Sequence, residues 1–465
     1  MGFYLNDSTE FIVMSTSSSR SSTPDNPILQ DLWPVPACRL VWDGRECTPA
    51  DFIHQLNETE IAEMEHALQV FKDKNIRVSM IDSENFPLPT LSDRVRLFPL
   101  DLHHQDAKGL IILRGLDAKK YSPLDNTIIF MGISSYIAIE RGMQDEVGNI
   151  LVHKTQSSPG NKAGNESTPF HNDMYVDVLA LHVQGQPAQG GAIKVASAWH
   201  IYNTLLRTRP SVVEELMRPI WNFEGTGRLF PTCIGPLVYR DFNTLMKVPV
   251  FNFGPRRITV IESGSESSQA PINLTENQNE ALKAIEEVAE ESCFKITPKA
   301  GDMIFLNNHG LLHAHDQFVD DEENSRHVVK LWLRHWMLSW QLPPGLCEGN
   351  QRVYGENGLR ERWELTVAPV AAGPSATESQ AGANPEDEPK PTGQPTLKTV
   401  EEEQSAKSKP VESNSAEEEK SAEEEKSAEE EKSAEEEKSA EEEKSAEEEK
   451  SAEEEITVKM YKVEL

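Results

Sequence analysis

The chain has 465 residues, enough for two or three average domains, and a formal net charge of −32 at pH 7, which argues against nucleic acid or an anionic membrane surface as partner. From Thr366 onward there are 30 acidic residues against 12 lysines and no arginine, so the acidity belongs largely to a tail. Five cysteines, odd in number and scattered without a Cys-x-x-Cys pair, exclude a disulfide framework or a zinc ribbon and fit reduced intracellular thiols.

Residues 1–30 hold Asp7, Glu10 and a Ser/Thr cluster from Ser15 to Thr23. They lack the apolar core of a secretory signal and read as a disordered arm. No later segment approaches the length of a membrane span, so a cytoplasmic location is expected. Asn57-Glu58-Thr59-Glu60 is a capping box by type and spacing, and Ile61, Met64, Leu68 and Phe71 follow on one face, which predicts a helix. A second helix is predicted from Ser211 after Pro210, with Glu214 three residues on, and a third from Thr275 with Gln278, turning Leu282, Ile285 and Val288 or Ala289 inward.

Short apolar segments alternate with these helices. Residues 110–113, 127–131, 176–183, 192–195, 248–253, 302–306 and 328–333 are bounded by Gly, Pro or Asn and read as strands. Many short strands with peripheral helices predict a mixed α/β chain with a mainly β core, a two-sheet jelly roll in which ligands from distant strands meet. Residues 415–456 are seven copies of a hexapeptide, six Ser-Ala-Glu-Glu-Glu-Lys and a last one ending in Ile456. With no apolar stripe at 3.5 or 3.6 spacing, the repeats read as a disordered or fluctuating helical polyanion whose partner is unknown. The terminal Lys462-Val463-Glu464-Leu465 is close to an endoplasmic-reticulum retrieval signal, which is read as chance on a chain expected to stay out of the secretory path.

The chemistry is carried by a His-x-Asp triplet, which occurs twice. His104-Gln105-Asp106 sits in a polar patch, whereas His171-Asn172-Asp173 leads into an apolar run of strand formers, the rigid setting that a metal ligand needs. Farther on, His309, His313 and His315 share one parity, and any of them can face inward. Two imidazoles and one carboxylate occupy one face of an octahedral iron and leave three adjacent positions open for a chelating 2-oxo acid and O2. Arg326 follows at the head of an apolar run, and alternation puts Arg326, Val328, Lys330, Trp332 and Arg334 on one face. A planar, permanently charged guanidinium suits the far carboxylate of 2-oxoglutarate.

Over roughly residues 40–345 the chain resembles the taurine catabolism dioxygenase (TauD/TfdA) family, most closely its fungal branch. The resemblance runs through Asn85-Phe86-Pro87-Leu88-Pro89, Leu113-Arg114-Gly115-Leu116, Gly132 to Ala138 with Arg141-Gly142 and Gln144-Asp145, and the segment at His171. It continues through Gly190-Gly191 with Ala196-Ser197-Ala198-Trp199, Thr208-Arg209-Pro210, Gly301-Asp302, Asn307-Asn308 with Leu312-His313-Ala314, and Arg326 to Arg334. It implies a double-stranded β-helix core, a metal site of His171, Asp173 and His313 for Fe(II), Arg326 on the distal carboxylate of 2-oxoglutarate, and O2 as the other co-substrate. The Leu-His-Ala context selects His313, leaving His309 and His315 as rim residues or partners behind the ligands.

Two departures stand out. Where family members place a Thr or Ser hydroxyl after the Gly-Gly pair, this chain has Ala192-Ile193-Lys194, so a contact to the co-substrate is absent or comes from elsewhere, with Ser197 as candidate. Lys330 stands where an arginine for an anionic substrate is plausible, and a lysine is a point charge rather than a fork. The expectation is therefore an Fe(II)- and 2-oxoglutarate-dependent dioxygenase in residues 31–365, hydroxylating a small, anionic substrate gripped by Lys330, Arg334, Arg256 or Arg257. Residues 366–465 form the low-complexity tail. The alternatives are a catalytically silent scaffold of the same fold and a jelly roll with other metal chemistry, such as zinc.

Overall fold

The computed structural model describes residues 32–155, 165–240, 248–254, 258–259, 274–355 and 357–366. The expected arm of residues 1–30 and, Thr366 apart, the expected tail lie outside them, as do Arg256 and Arg257. Two antiparallel-rich sheets form the centre. Their strands in chain order are β1 (Ile53–Gln55), β2 (Leu110–Arg114), β3 (Glu140–Arg141), β4 (Leu151–Thr155), β5 (Thr168–His171), β6 (Val178–Gly185), β7 (Ile193–Ser197), β8 (Phe294–Ile296), β9 (Met303–Asn307), β10 (Leu311–His315) and β11 (His327–Arg334).

The larger sheet runs β1-β2-β9-β6-β11-β3, with β4 also paired to β11. The smaller runs β8-β7-β10-β5. Neighbours such as β6 and β9 lie far apart in sequence, the mark of a jelly-roll core rather than of a string of hairpins. The strands β2 and β9 are buried almost throughout and β6 and β11 over most of their length, which is why they read as apolar runs. Gly190 and Gly191, at φ 72° and 71°, turn the chain into β7. A Cβ on Gly190 would lie 2.2 Å from the Gln317 carbonyl oxygen, so no side chain fits there.

Helices pack around the sheets. Helix α1 (Glu58–Lys74) has the expected box: Asn57 Oδ1 accepts from the Glu60 amide at 3.0 Å, and the Glu60 carboxylate accepts from the Asn57 amide at 2.9 Å. Residues 127–131, expected as a strand, belong instead to α2 (Pro123–Ser135). All ten residues from Asn126 to Ser135 are buried, so the helix shows no 3.6-residue stripe. Its signal is the start: Ser122 accepts from the Asp125 amide, and Pro123 takes the first helical position.

Helix α3 (Ala198–Thr208) continues from β7, and α4 (Pro210–Met217) begins at Pro210 rather than Ser211, because proline's missing N–H is an orphan there anyway. Helix α5 (Glu276–Ser292) carries the Thr275 and Gln278 box and buries Ala281, Ala284, Ile285, Val288 and Ala289. Helix α6 (Pro344–Tyr354) closes one end. Among the described residues no helix is long and apolar enough to cross a membrane, and all five cysteines are free.

Candidate metal centre and its cavity wall

His171 is the last residue of β5 and lies directly opposite His313 of β10, with ring centroids 4.3 Å apart. A register shift follows between His313 and His315, a bulge of the kind that re-aims side chains beside active sites. Asp173 lies just past the strand end, and its position is dictated by asparagines. Asn172, fully buried, donates to the carbonyls of Phe251 and Asn308 and accepts from the Phe253 amide. Asn308 accepts from the Asp173 amide at 2.9 Å and donates to the carbonyls of Asp173 and Val176. Tyr175 takes the left-handed φ of 68° that completes the turn, and it packs where a Cβ on Gly349 would have to be. One ligand atom each from His171, Asp173 and His313 then lies within 4.8 Å of the others, and no other such metal-ligand group occurs among the described residues.

The protonation states suit a cation. His171 Nδ1 lies 2.8 Å from the Pro169 carbonyl, which can only accept, so Nδ1 carries the hydrogen and Nε2 keeps its lone pair. Burial pushes the His171 and His313 imidazoles below their ordinary value, against the pull of Asp173, and leaves both neutral near pH 7. The buried Nδ1 of His313 has no partner among the described residues. For Asp173, burial acts to raise the carboxyl, but Lys330, by its charge and its hydrogen bond, leads the opposing pull, and the carboxyl stands well below the usual carboxylate range. Two neutral imidazoles and an ionised carboxylate, one imidazole with an orphaned nitrogen, fit a divalent metal.

Asp173 Oδ2 accepts from Lys330 Nζ at 3.0 Å and from Trp332 Nε1 at 2.7 Å. Both donors come from β11, and the Lys330 ammonium sits 4.8 Å over the Trp332 ring. With one oxygen held twice, the other is the one left for a metal. Trp332→Phe is expected to weaken Fe(II) binding about 10- to 100-fold, the range for partners that orient metal ligands, read by anaerobic calorimetric titration. An unchanged affinity would mean that the indole only packs against Phe230, its edge-on neighbour.

The alternation on β11 puts Lys330 and Trp332 toward Asp173, and Arg326, one residue before the strand, shares their parity. Its guanidinium lies 5.0 Å over the Phe318 ring and has no carboxylate or hydrogen-bond acceptor among the described residues. Arg334, expected to grip substrate, is taken: Nε donates to Glu140 and Nη1 to Asn350 Oδ1 at 2.8 Å, with the Tyr354 ring beneath. Ser197 is also committed. Its hydroxyl donates to the Leu40 carbonyl at 2.6 Å and accepts from the His200 amide, capping α3, so it has no proton for a co-substrate. Ile193, opposite His315, is buried and leaves that part of the wall apolar.

His309 is not a rim residue, because it is 2% exposed with Nε2 3.4 Å from Asp177, which is equally buried. His315 is half-buried; burial, then the charge of Arg326, push it down to about 4. The rejected triplet lies at the surface, with His104 half-buried and Asp106 exposed.

The model of the family described as "Taurine catabolism dioxygenase TauD, TfdA family" matches residues 74–332. A taurine hydroxylase-like protein, SAT17, of Stachybotrys chartarum is 31% identical over 347 residues, covering 71% of this chain and 88% of the relative. The FR-33289 synthase of Streptomyces rubellomurinus is 25% identical over 315 residues, covering 63% and 89%. Similar solved structures include the non-heme iron oxygenase OrfP in complex with Fe, at 14% identity and a TM-score of 0.43, covering 63% of this chain and 99% of that one. An asparagine oxygenase in complex with Fe(II), hydroxyasparagine and succinate has 15% identity and a TM-score of 0.45, covering 61% and 93%.

Proposed function

Since the chain belongs to the taurine catabolism dioxygenase (TauD, TfdA) family, a family of Fe(II)- and 2-oxoglutarate-dependent oxidoreductases, we propose that it hydroxylates a small anionic organic substrate at an iron held by His171, Asp173 and His313. The observation that carries this reading is the cluster of the three ligands within 4.8 Å, beside a strand from which Arg326 offers a guanidinium that has no carboxylate partner among the described residues. When bound, the iron with 2-oxoglutarate and O2 supplies the oxidation, in which one oxygen atom goes to the co-substrate as it loses CO2 to become succinate and the other enters a substrate C–H bond as hydroxyl.

The protein's own share is electrostatic and steric. His171 and His313 reach the metal already neutral, so binding displaces no proton from them. Asp173 acts as a ligand rather than a base, because Lys330 and Trp332 keep it ionised and fix which oxygen it presents. Arg326 takes the distal carboxylate of 2-oxoglutarate as a bidentate fork. Ile193 and Phe318 keep that end of the pocket apolar, which strengthens the ion pair by excluding water. The Lys330 ammonium has three donors, of which Asp173 uses one, so it also faces a substrate anion. Arg334 is left out of this grip for want of a free face. The setting is the cytoplasm, and neither nucleic acid nor a membrane has a part in it.

The silent-scaffold reading draws on one observation: with Ile193 apolar and Ser197 committed, no hydroxyl from β7 assists Arg326. One experiment separates the two. Anaerobic Fe(II) with 2-oxoglutarate is expected to give the weak visible charge-transfer band of a chelated ferrous site, and His171→Ala and His313→Ala each remove it. A wild-type protein with no band favours the scaffold, a band that survives either substitution removes the triad, and activity needing neither 2-oxoglutarate nor O2 points to other metal chemistry.

A further inference from the structure

A third cation lies on the wall that carries Arg326 and Lys330, and it comes from β4. In the antiparallel register of β4 with β11, Lys154 pairs with Val328 and Val152 pairs with Lys330. Directly paired residues of an antiparallel sheet share a face, and so do residues two apart on one strand. Lys154 therefore stands on the face of Arg326, Val328 and Lys330, across from the midpoint between the two charged residues. That face looks toward the candidate metal site, because Lys330 Nζ reaches Asp173 from it.

Lys154 has neither an ion pair nor a hydrogen bond among the described residues. Its side chain is solvent-accessible but walled by protein, and burial, then the neighbouring charges of Lys330 and Arg326, push the amine down to about 8. An ammonium with no ion pair among the described residues, beside two further cations, is a place where an anion gains on entry. The charge balance gives the size of that demand. Iron brings two positive charges, and Asp173 with the two carboxylates of 2-oxoglutarate brings three negative ones. Arg326, Lys330 and Lys154 then leave the filled site two positive charges in excess.

We propose that Lys154 and Lys330 together form a two-amine subsite that selects a substrate bearing two negative charges over one bearing a single charge. The inference rests on the iron and 2-oxoglutarate reading above and narrows its substrate class. Arg326 is engaged by the co-substrate in that reading, so among the described residues the two lysines are the cations of this face left for the substrate. Lysine suits this use, since a point charge on a flexible stem accepts carboxylate, sulfonate or phosphate oxygens without demanding one planar geometry.

The test is anaerobic calorimetric titration of the protein loaded with Fe(II) and 2-oxoglutarate, using sulfoacetate as the doubly charged probe and ethanesulfonate as the singly charged one. Wild type is expected to bind sulfoacetate at least about tenfold more tightly. Lys154→Met is expected to bring the two affinities within about twofold by weakening sulfoacetate alone, while Lys154→Arg retains most of the preference. The inference is overturned if wild type shows no preference, or if the preference survives in Lys154→Met. It is equally overturned if that variant weakens 2-oxoglutarate, which would make Lys154 a co-substrate contact, or if it changes only self-association, which would make it an edge-strand guard. The visible band separates the levels of failure. A wild type without it loses the iron reading and this one together, and a normal band without anion preference removes this one alone.

Discussion

Asp173→Asn is expected to abolish Fe(II) binding at working concentrations while leaving the fold intact. Asparagine has the size and shape of aspartate, its carbonyl oxygen can still accept from Trp332 Nε1, and the backbone contacts to Asn308 do not involve the side chain. What disappears is the negative charge. In the proposed site that charge is the ligand to the metal and at the same time screens it from the Lys330 ammonium, 3.0 Å from the carboxylate's other oxygen. With a neutral amide the ammonium repels an incoming dication directly, and the donor set falls to two imidazoles and an amide, a poor match for iron. Losing a partner that only orients a ligand costs about 10- to 100-fold in affinity. Losing the ligand's charge exceeds that, so affinity falls by more than about 100-fold and succinate formation falls with it. Anaerobic calorimetry and the visible band report the first effect and coupled O2 uptake the second. An asparagine variant that titrates Fe(II) with wild-type affinity would sink the assignment of Asp173. Lys330→Met is the informative contrast, since it removes the ammonium, keeps the carboxylate and is expected to keep the band.

How far the site could be read in advance followed from how local each signal is. The strands β6, β9 and β11 were legible because their burial writes long apolar runs into the sequence. Residues 127–131 misled for a related reason, since α2 is buried on every side and an apolar run without a stripe does not distinguish helix from strand. Choosing His171 over His104 needed only local polarity. Choosing His313 among three histidines needed the family, because parity does not say that His309 sits behind the site against Asp177. Ser197 failed as a co-substrate contact for a reason the sequence does display: a serine just before a helix is a capping residue, and its hydroxyl is already engaged. The partners of Asp173 had no such trace. Lys330 and Trp332 meet it across 157 and 159 residues of chain, and Lys154 joins them only through the register of an edge strand. Contacts made by sheet closure carry no short-range pattern, so structure is where they first become visible.

Arg326→Ala is the second large effect, and it acts on the co-substrate rather than on the metal. The guanidinium has no carboxylate of its own among the described residues, so it is not holding the fold through an ion pair, and its removal leaves no stranded acid behind except Asp320, whose contact is to the backbone amide. The buried Phe318 ring makes one side of the guanidinium apolar, which raises the value of a charged contact there. Truncating one side of such a pair costs about 2–5 kcal/mol, or roughly 30- to 3,000-fold at 1.4 kcal/mol per tenfold. The upper half of that range is expected here, because no hydroxyl stands at residue 193 to share the load. The loss should appear as a raised KM for 2-oxoglutarate with Fe(II) affinity unchanged, and Arg326→Lys should recover part of it, since lysine keeps the charge and loses the fork. Uncoupled succinate formation that keeps its wild-type KM in Arg326→Ala would place the distal carboxylate on another cation. In that event Lys154, two residues across the sheet on the same face, is the first to test.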